Sequence, residues 1–365
     1  MQRRTRLAAK AMSALAIVSV ASLALTACGG STDSAAPGGS GDAIAVTLIT
    51  KTNTNPFFIA MQEGAKKAGE EQGVSITTAA GTSDGDTDGQ VKAIEAAVAR
   101  GDKGILITPS GEGVNSAIEN ARNAGLYVIA LDTPPDPADT VDITFATDNF
   151  KAGELIGKWS AAQLDGKQAN IALLDLFNDK VVSVDYNRDQ GFLKGMGIDI
   201  GDAKKNGDEA KSGSYTGGKG GSYTIACNEP TQGASDQGKT AMENCLSKTK
   251  DINVVYTINE PAAAGAAQAL QEAGVKATIV SVDGGCDPGL TLVKDGTVGA
   301  TSQQYPVKMA QLGVEAIKKI AEGGEKPAVT PGLDFYDTGV ALVTDKKVEG
   351  VDSISVAEGE KVCWG

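Results

Sequence analysis

Apolar residues along this chain come in short continuous runs separated by stretches with helical spacing. The runs Ala43 to Thr50, Val74 to Thr78, Gly104 to Thr108 and Leu126 to Leu131 predict strands. Between them, Pro56 to Gln72, Asp88 to Arg100 and Gly113 to Ala124 read as helices, the second with Val91, Ile94 and Val98 on one face. Beyond Thr147 the alternation restarts with helix Asn149 to Leu164, strand Ala169 to Leu174, helix Asp185 to Met196 and strand Ser222 to Cys227. Helix Ser235 to Ser247, strand Ile252 to Ile258, helix Pro261 to Ala273 and strand Ala277 to Val282 continue it, and helix Tyr305 to Glu322 and a strand near Gly339 to Val343 close it. Strands that are apolar throughout and alternate with helices predict parallel sheets covered on both faces. The expected fold class is α/β, with two doubly wound, Rossmann-like lobes. Segment Gly197 to Gly221, rich in Gly, Lys and Ser, interrupts the pattern and predicts a mobile surface insertion of minor functional weight.

The first residues do not belong to that pattern. Arg3, Arg4, Arg6 and Lys10 precede an apolar, small-residue segment from Ala11 to Ala27, too short for a comfortable membrane span, which predicts a secretion signal over residues 1–27. It ends in Leu25-Thr26-Ala27-Cys28-Gly29, which resembles a bacterial lipobox with Cys28 as the lipidated first residue of the mature chain. Residues 28–42 are Gly, Ser, Ala, Asp and Pro, a flexible tether that cannot bury a core. The chain is thus expected outside the cytoplasm, on the outer face of the cell membrane. The remaining length, about 320 residues, suits two domains better than one core.

Charge and cysteine usage narrow the chemistry. With 33 basic against 46 acidic residues the precursor stands at −13, and losing the signal makes it more acidic still, which disfavours nucleic acid and anionic lipid surfaces as partners. Besides Cys28 there are Cys227, Cys245, Cys286 and Cys363; the chain has no His and the spacings fit no zinc pattern, so disulfides are preferred to a metal. Of the three possible pairings, Cys227 with Cys245 and Cys286 with Cys363 is favoured. The first would staple a strand end to the next helix and the second would pin the C-terminal tail.

In open parallel sheets ligands collect at the carboxyl ends of the strands. Lys51 and Thr108 stand at such ends, as do Asp132-Thr133, Asn259-Glu260-Pro261, Asp283-Gly284-Gly285 and Ser302-Gln303-Gln304-Tyr305-Pro306, with Arg188 in a helix after another. Asn55-Pro56-Phe57-Phe58 comes after the first strand: Pro56 belongs in a first helical turn, Asn55 can cap it, and the two rings point about 100° apart, one toward the core and one toward the cleft. Carboxylate, guanidinium and carboxamide groups beside aromatic rings suit a sugar, whose hydroxyls donate and accept and whose C–H faces want flat partners. No nucleophile and base pair, phosphate loop or dinucleotide fingerprint emerges, so neither an enzyme nor a cofactor is expected.

Asn55-Pro56-Phe57-Phe58 after a strand resembles the first sugar-contacting loop of the ribose-type, type I periplasmic binding proteins of ABC importers. The resemblance extends over nearly the whole mature chain. It implies two lobes, 43–147 with 305–332 and 148–304 with 333–365, joined by three crossings near Thr147 to Phe150, Ser302 to Tyr305 and Pro331 to Asp334. It implies a monomer that hands its sugar to a membrane permease, with ligand contacts from Lys51, Asn55, Phe57, Phe58, Thr108, Asp132, Arg188, Asn259, Asp283 and Gln304. Asp132 is followed by Thr133 where ribose binders carry Arg, and the strand-end motifs look closest to the fructose-binding branch. The family's aromatic residue from the second lobe has no clear counterpart; Thr231, Gln232 and Asp236 fall near its place. A sugar sensor of the same fold, signalling to a membrane kinase, is the alternative, while the N-terminal signal excludes a DNA-binding regulator.

One spacing points elsewhere. Asp84, Asp86, Asp88 and Glu95 meet the calcium-loop pattern D-x-[DN]-x-[DN]-G-x₅-E. Yet a strand precedes the loop where an EF-hand needs a helix, and capping of the next helix by Asp88 is the preferred reading.

Overall fold

The computed structural model describes residues 44–365. The expected signal, the tether and Cys28 lie outside the described residues. Strands β1 (Ile44–Thr50), β2 (Val74–Ala80), β3 (Gly104–Ile107), β4 (Tyr127–Leu131) and β5 (Ile143–Ala146) alternate with helices α1 (Pro56–Gln72), α2 (Thr87–Arg100) and α3 (Asn115–Asn123). They pair in parallel in the order β5-β4-β3-β1-β2. Covered on both faces, such strands need apolar side chains throughout, and the Gly-Ile-Leu-Ile of β3 is buried at every position. Strand β5 carries only four residues after a Pro- and Asp-rich loop, too weak a signal to read in advance.

The second half runs α4 (Asn149–Leu164), β6 (Ala169–Asp175), α5 (Ser183–Met196), β7 (Ser212–Tyr215), β8 (Gly221–Pro230), α6 (Ser235–Lys248), β9 (Val254–Thr257), α7 (Glu260–Ala273), β10 (Thr278–Asp283), α8 (Thr291–Lys294) and β11 (Val298–Gln303). Helix α9 (Pro306–Ala321) then returns to the first sheet, where Met309, Val314 and Ile317 share a core with Val46, Leu48, Leu106 and Ile129. The chain ends with β12 (Tyr336–Asp337), β13 (Ala341–Val343) and a short helix, α10 (Val356–Gly359). The second sheet has the order β13-β11-β10-β9-β6-β8-β7, with antiparallel pairs only at its two edges.

Two expectations need correction here. The third passage between sheets lies at residues 338–340, past Pro331 to Asp334, because Tyr336 and Asp337 pair in parallel with Phe145 and Ala146 and the rings of Phe145 and Tyr336 meet at 5.4 Å. The first half therefore keeps the chain through 337 rather than 332; a two-residue strand has no periodicity to read. The stretch Gly197 to Gly221 is not all insertion either. It holds β7, an edge strand on β8, whose Tyr215 is buried and donates its hydroxyl to the Lys167 carbonyl at 2.6 Å.

Local chemistry at the helix ends sets the loops at the carboxyl edge of the sheets. Asn55 caps α1, its Oδ1 accepting from Phe57 N at 2.9 Å, with Pro56 in the first turn. Helix α2 is capped by Asp86, not Asp88: Oδ1 accepts from Gly89 N and Oδ2 from Thr82 N, both at 2.9 Å, and these amides hold its carboxyl at about 2. Among the described residues no three acidic side chains are grouped to hold a metal ion. The calcium-like spacing is spent on a helix cap. Both favoured disulfides form, Cys227 with Cys245 and Cys286 with Cys363. Helices α4 and α5 touch backbone to backbone, since a Cβ on Gly153 would collide with the Arg188 carbonyl. That close approach sets Arg188 at the edge of the cleft.

Candidate functional site

Chain direction puts the carboxyl ends of both sheets face to face, and the polar residues at those ends surround one chamber. Lys51, Asn55, Phe57, Phe58, Asp84 and Asp132 line it from the first half, and Arg188, Asn259, Asp283 and Gln304 from the second and its return. Leu176, Val184 and Ile258 complete the wall of this small chamber. Of the ten ligand contacts expected from sequence, Thr108 alone does not line the chamber. It lies at the strand end but in the layer behind, where its carbonyl accepts from Gln90 Nε2 at 2.8 Å.

Arg188 is the centre of the arrangement. Its Nε donates to Asn149 Oδ1 at 2.7 Å and its Nη1 to the Ile258 carbonyl at 2.9 Å. Its guanidinium lies 3.9 Å from Asp132 Oδ1 of the first half and 3.7 Å from Asp283 Oδ1 of the second. The backbones of these two aspartates are strained, with φ of 66° and 137°. Strain of this kind persists where the surroundings over-determine it, and it concentrates at functional sites. Behind Asp283, Glu260 fixes the loop after β10: Oε1 accepts from Gly284 N at 2.7 Å and Thr301 Oγ1 at 2.8 Å, and Oε2 from Gly285 N at 3.1 Å. Burial raises Asp283 to about 7 against the pull of Arg188, and burial with repulsion from Asp283 raises Glu260 to about 8.

The other polar groups divide into engaged and available ones. Asn259 caps α7 through Oδ1 and donates from Nδ2 to the Gly233 carbonyl at 3.0 Å, so its first role is structural. Asp132 Oδ2 accepts from Thr133 Oγ1 at 2.7 Å, and Asp283 Oδ1 accepts from Gln304 Nε2 at 2.7 Å. Asp84 Oδ1, Asp132 Oδ1 and Gln304 Oε1 are buried without a partner among the described residues. Phe57 and Phe58 are both buried and meet edge to face at 5.3 Å. Phe57 meets Trp364 in the same way, also at 5.3 Å, and Trp364 Nε1 donates to the Gln304 carbonyl at 2.9 Å. Of the second-lobe polar residues, Thr231 is buried against the Asp175 carbonyl, while Gln232 and Asp236 line the outer, open part of the cleft.

Sequence reasoning missed Asp84 as a lining residue, Asn149 and Glu260 as supports, and Trp364 as the backing of Phe57. Across the cleft the two halves are bridged by Lys180 Nζ to the Gly85 carbonyl at 3.0 Å, Ser183 Oγ to the Pro134 carbonyl at 2.6 Å and Lys204 Nζ to Asp136 Oδ2 at 2.8 Å. These contacts join the two halves beside the chamber.

Deeper in the second half, Asp175, Asp185 and Asp189 are buried close together; burial and then repulsion raise Asp175, from Asp189 and Asp185, and Asp189, from Glu209 and Asp185. Burial takes Asp185 to about 6 although it accepts from the Leu176 and Phe177 amides. A carboxyl raised on folding binds its proton more tightly in the native chain, so stability is highest below the unfolded value near 4 and falls as pH rises through the folded one. One unit is about 1.4 kcal/mol, and urea unfolding is expected to show at least that much lower stability at pH 8 than at pH 5. Asp185→Asn should remove about 1.4 kcal/mol of the difference, the rest staying with the other raised carboxyls; equal wild-type stabilities at the two pH values would refute it.

Residues 44–326 match the family described as periplasmic binding protein domain. The ribose import binding protein RbsB of Haemophilus influenzae is 28% identical over 287 residues, covering 78% of this chain and 88% of the relative. The galactofuranose-binding protein YtfQ of Escherichia coli is 28% identical over 272 residues, covering 72% and 77%. An ABC transporter solute-binding protein from Agrobacterium vitis with bound D-fucose superposes with a TM-score of 0.70 at 25% identity, over 87% of this chain and 99% of that one. A carbohydrate transporter solute-binding protein from Agrobacterium radiobacter in complex with D-arabinose shares the fold, with a TM-score of 0.71 at 20% identity over 88% and 99%. These relatives are sugar-binding transport proteins, not enzymes. With two parallel-sheet lobes, three passages between them and a family match over most of its length, this chain belongs to the periplasmic binding protein domain family and has its type I fold.

Proposed function

We propose that this chain is the extracytoplasmic binding component of an ABC importer, a monomer anchored through lipid on Cys28, which closes its two lobes around a monosaccharide and presents the closed form to a membrane permease. The observation that carries the reading is convergence: nine of the ten contacts chosen by strand-end position and resemblance line one buried chamber, from both halves of the chain. A ligand that touches both walls binds the closed state better than the open one, and that difference drives closure. Fructose is the first candidate. The motifs Asn259-Glu260-Pro261, Asp283-Gly284-Gly285-Cys286 and Ser302 to Pro306 favour it, and Thr133, whose hydroxyl is turned onto Asp132, supplies no guanidinium for ribose. Ribose, mannose, xylose and polyols come next.

A thermal-shift screen of the fragment from Gly41 onward against monosaccharides and polyols tests this. A ligand at 100 times its Kd adds about 2.7 kcal/mol of stability, so one ketose or aldose is expected to raise the melting temperature clearly above the rest. A shift with another sugar alone would replace fructose, and a flat panel would end the sugar reading.

A further inference from the structure

Asp84 enters the chamber from the loop after β2. Its side chain is 9% exposed, and its Oδ1 is without a hydrogen-bond partner among the described residues. Lys51, at the end of β1, is 2% exposed and holds its Nζ 3.9 Å from Asp84 Oδ2. That distance is beyond a hydrogen bond, so two charges are taken out of water without being joined. A hydroxyl within about 2.8 Å of both would accept from the ammonium and donate to the carboxylate, satisfying the pair in one contact. The remaining unpartnered atoms of the lining, Asp132 Oδ1 and Gln304 Oε1, are acceptors too.

Resting on the binding function proposed for the chamber, we propose that Lys51 and Asp84 together read one hydroxyl of the ligand and so act as specificity-determining residues. The ligand class is a neutral polyhydroxy compound that offers at least three hydroxyl donors. The lining holds three carboxylates, Asp84, Asp132 and Asp283, against the two cations Lys51 and Arg188. A sugar bearing a carboxylate or phosphate brings acceptors where the unpartnered lining atoms want donors, and negative charge beside Asp84 and Asp132, so it is rejected. A deoxy sugar lacking the bridging hydroxyl leaves both partners of the pair unmet.

Calorimetric titration with D-fructose and its monodeoxy derivatives tests the assignment. Lys51→Met/Asp84→Asn removes both charges together, and a thermal melt checks that the variant is folded. Wild type and double variant are expected to differ at least tenfold in affinity for fructose and less than twofold for the one derivative that lacks the bridging hydroxyl. Wild-type affinity for fructose in the double variant, or the same loss against every derivative, overturns the proposal. Arg188→Ala separates the two claims: if it abolishes binding while the double variant keeps it, the sugar site stands and the Lys51 and Asp84 assignment falls. If the wild type binds another sugar in place of fructose, the same comparison is made with that sugar and its monodeoxy derivatives, and wild-type affinity in the double variant overturns the assignment while the binding function stands.

Discussion

Replacing Arg188 with alanine is expected to lower affinity for the captured sugar by a factor between about thirty and several thousand while leaving the fold intact. The guanidinium is the single cation between Asp132 and Asp283, one from each half of the chain, at 3.9 and 3.7 Å. Its loss leaves two carboxylates facing each other across the closed cleft, with the Ile258 carbonyl and Asn149 Oδ1 stripped of their donors. Truncating one member of a buried, hydrogen-bonded charge cluster typically costs about 2–5 kcal/mol, which sets the expected range. The fold is spared because the core side of α5 is carried by Phe192, Leu193 and Met196. Arg188→Lys keeps the charge but cannot reach Asn149, Ile258 and both carboxylates at once, so it is expected to fall between alanine and wild type. Calorimetric titration beside a circular-dichroism melt measures both quantities, and wild-type affinity in a folded Arg188→Ala variant would remove Arg188 from the site.

Trp364→Ala is expected to cost about 3–5 kcal/mol of stability, as for a large aromatic cut from a core, and to weaken binding about tenfold. The residue is next to last in the chain, yet it is buried in the core of the first half beside Phe57, Phe58 and Met61. It backs two lining residues at once, packing its ring on Phe57 and donating from Nε1 to the Gln304 carbonyl. Its position depends on Cys286 with Cys363, a link spanning 77 residues, and on the Cys286 amide donating to the Trp364 carbonyl at 2.9 Å. Closing a loop of that size removes about 4–5 kcal/mol of unfolded-chain entropy on the simplest account, so Cys363→Ser is expected to lower stability and loosen Trp364 together. The exposed neighbour Val362 serves as control, with Val362→Ala unchanged. Urea unfolding with and without sugar reads both effects. A Trp364→Ala variant as stable as wild type would show that the tail is ornamental.

The readable part of the site was the part that derives from chain direction. An apolar run has a carboxyl end, a parallel sheet gathers those ends on one edge, and the polar residues after each run therefore share an edge whatever the details. Lys51, Asp132, Asn259, Asp283 and Gln304 were found that way and do line one chamber. Thr108 satisfies the same rule and does not line the chamber, because the rule places a residue at an edge without saying whether it faces the space between the sheets. Asp84 failed in the opposite sense: its spacing with Asp86 and Asp88 suggested a metal, whereas Asp86 took the helix cap and Asp84 was left turned into the cleft.

By itself, then, the sequence determined the alternation of strands and helices, two halves of like construction, the edge where polar groups gather and two disulfides. These are consequences of local periodicity, of chain direction and of the four cysteines that remain once Cys28 is set aside, all of which are written along the chain. The tertiary structure decided what depends on meeting across distance. It placed β12 in the first sheet, where Tyr336 finds Phe145, and carried Trp364 from the tail to the back of Phe57. It also set Arg188 between carboxylates contributed by separate halves, through a helix contact close enough to exclude a Cβ at Gly153. Such contacts arise from packing between segments far apart in the chain, and neither hydrophobic period nor spacing encodes them.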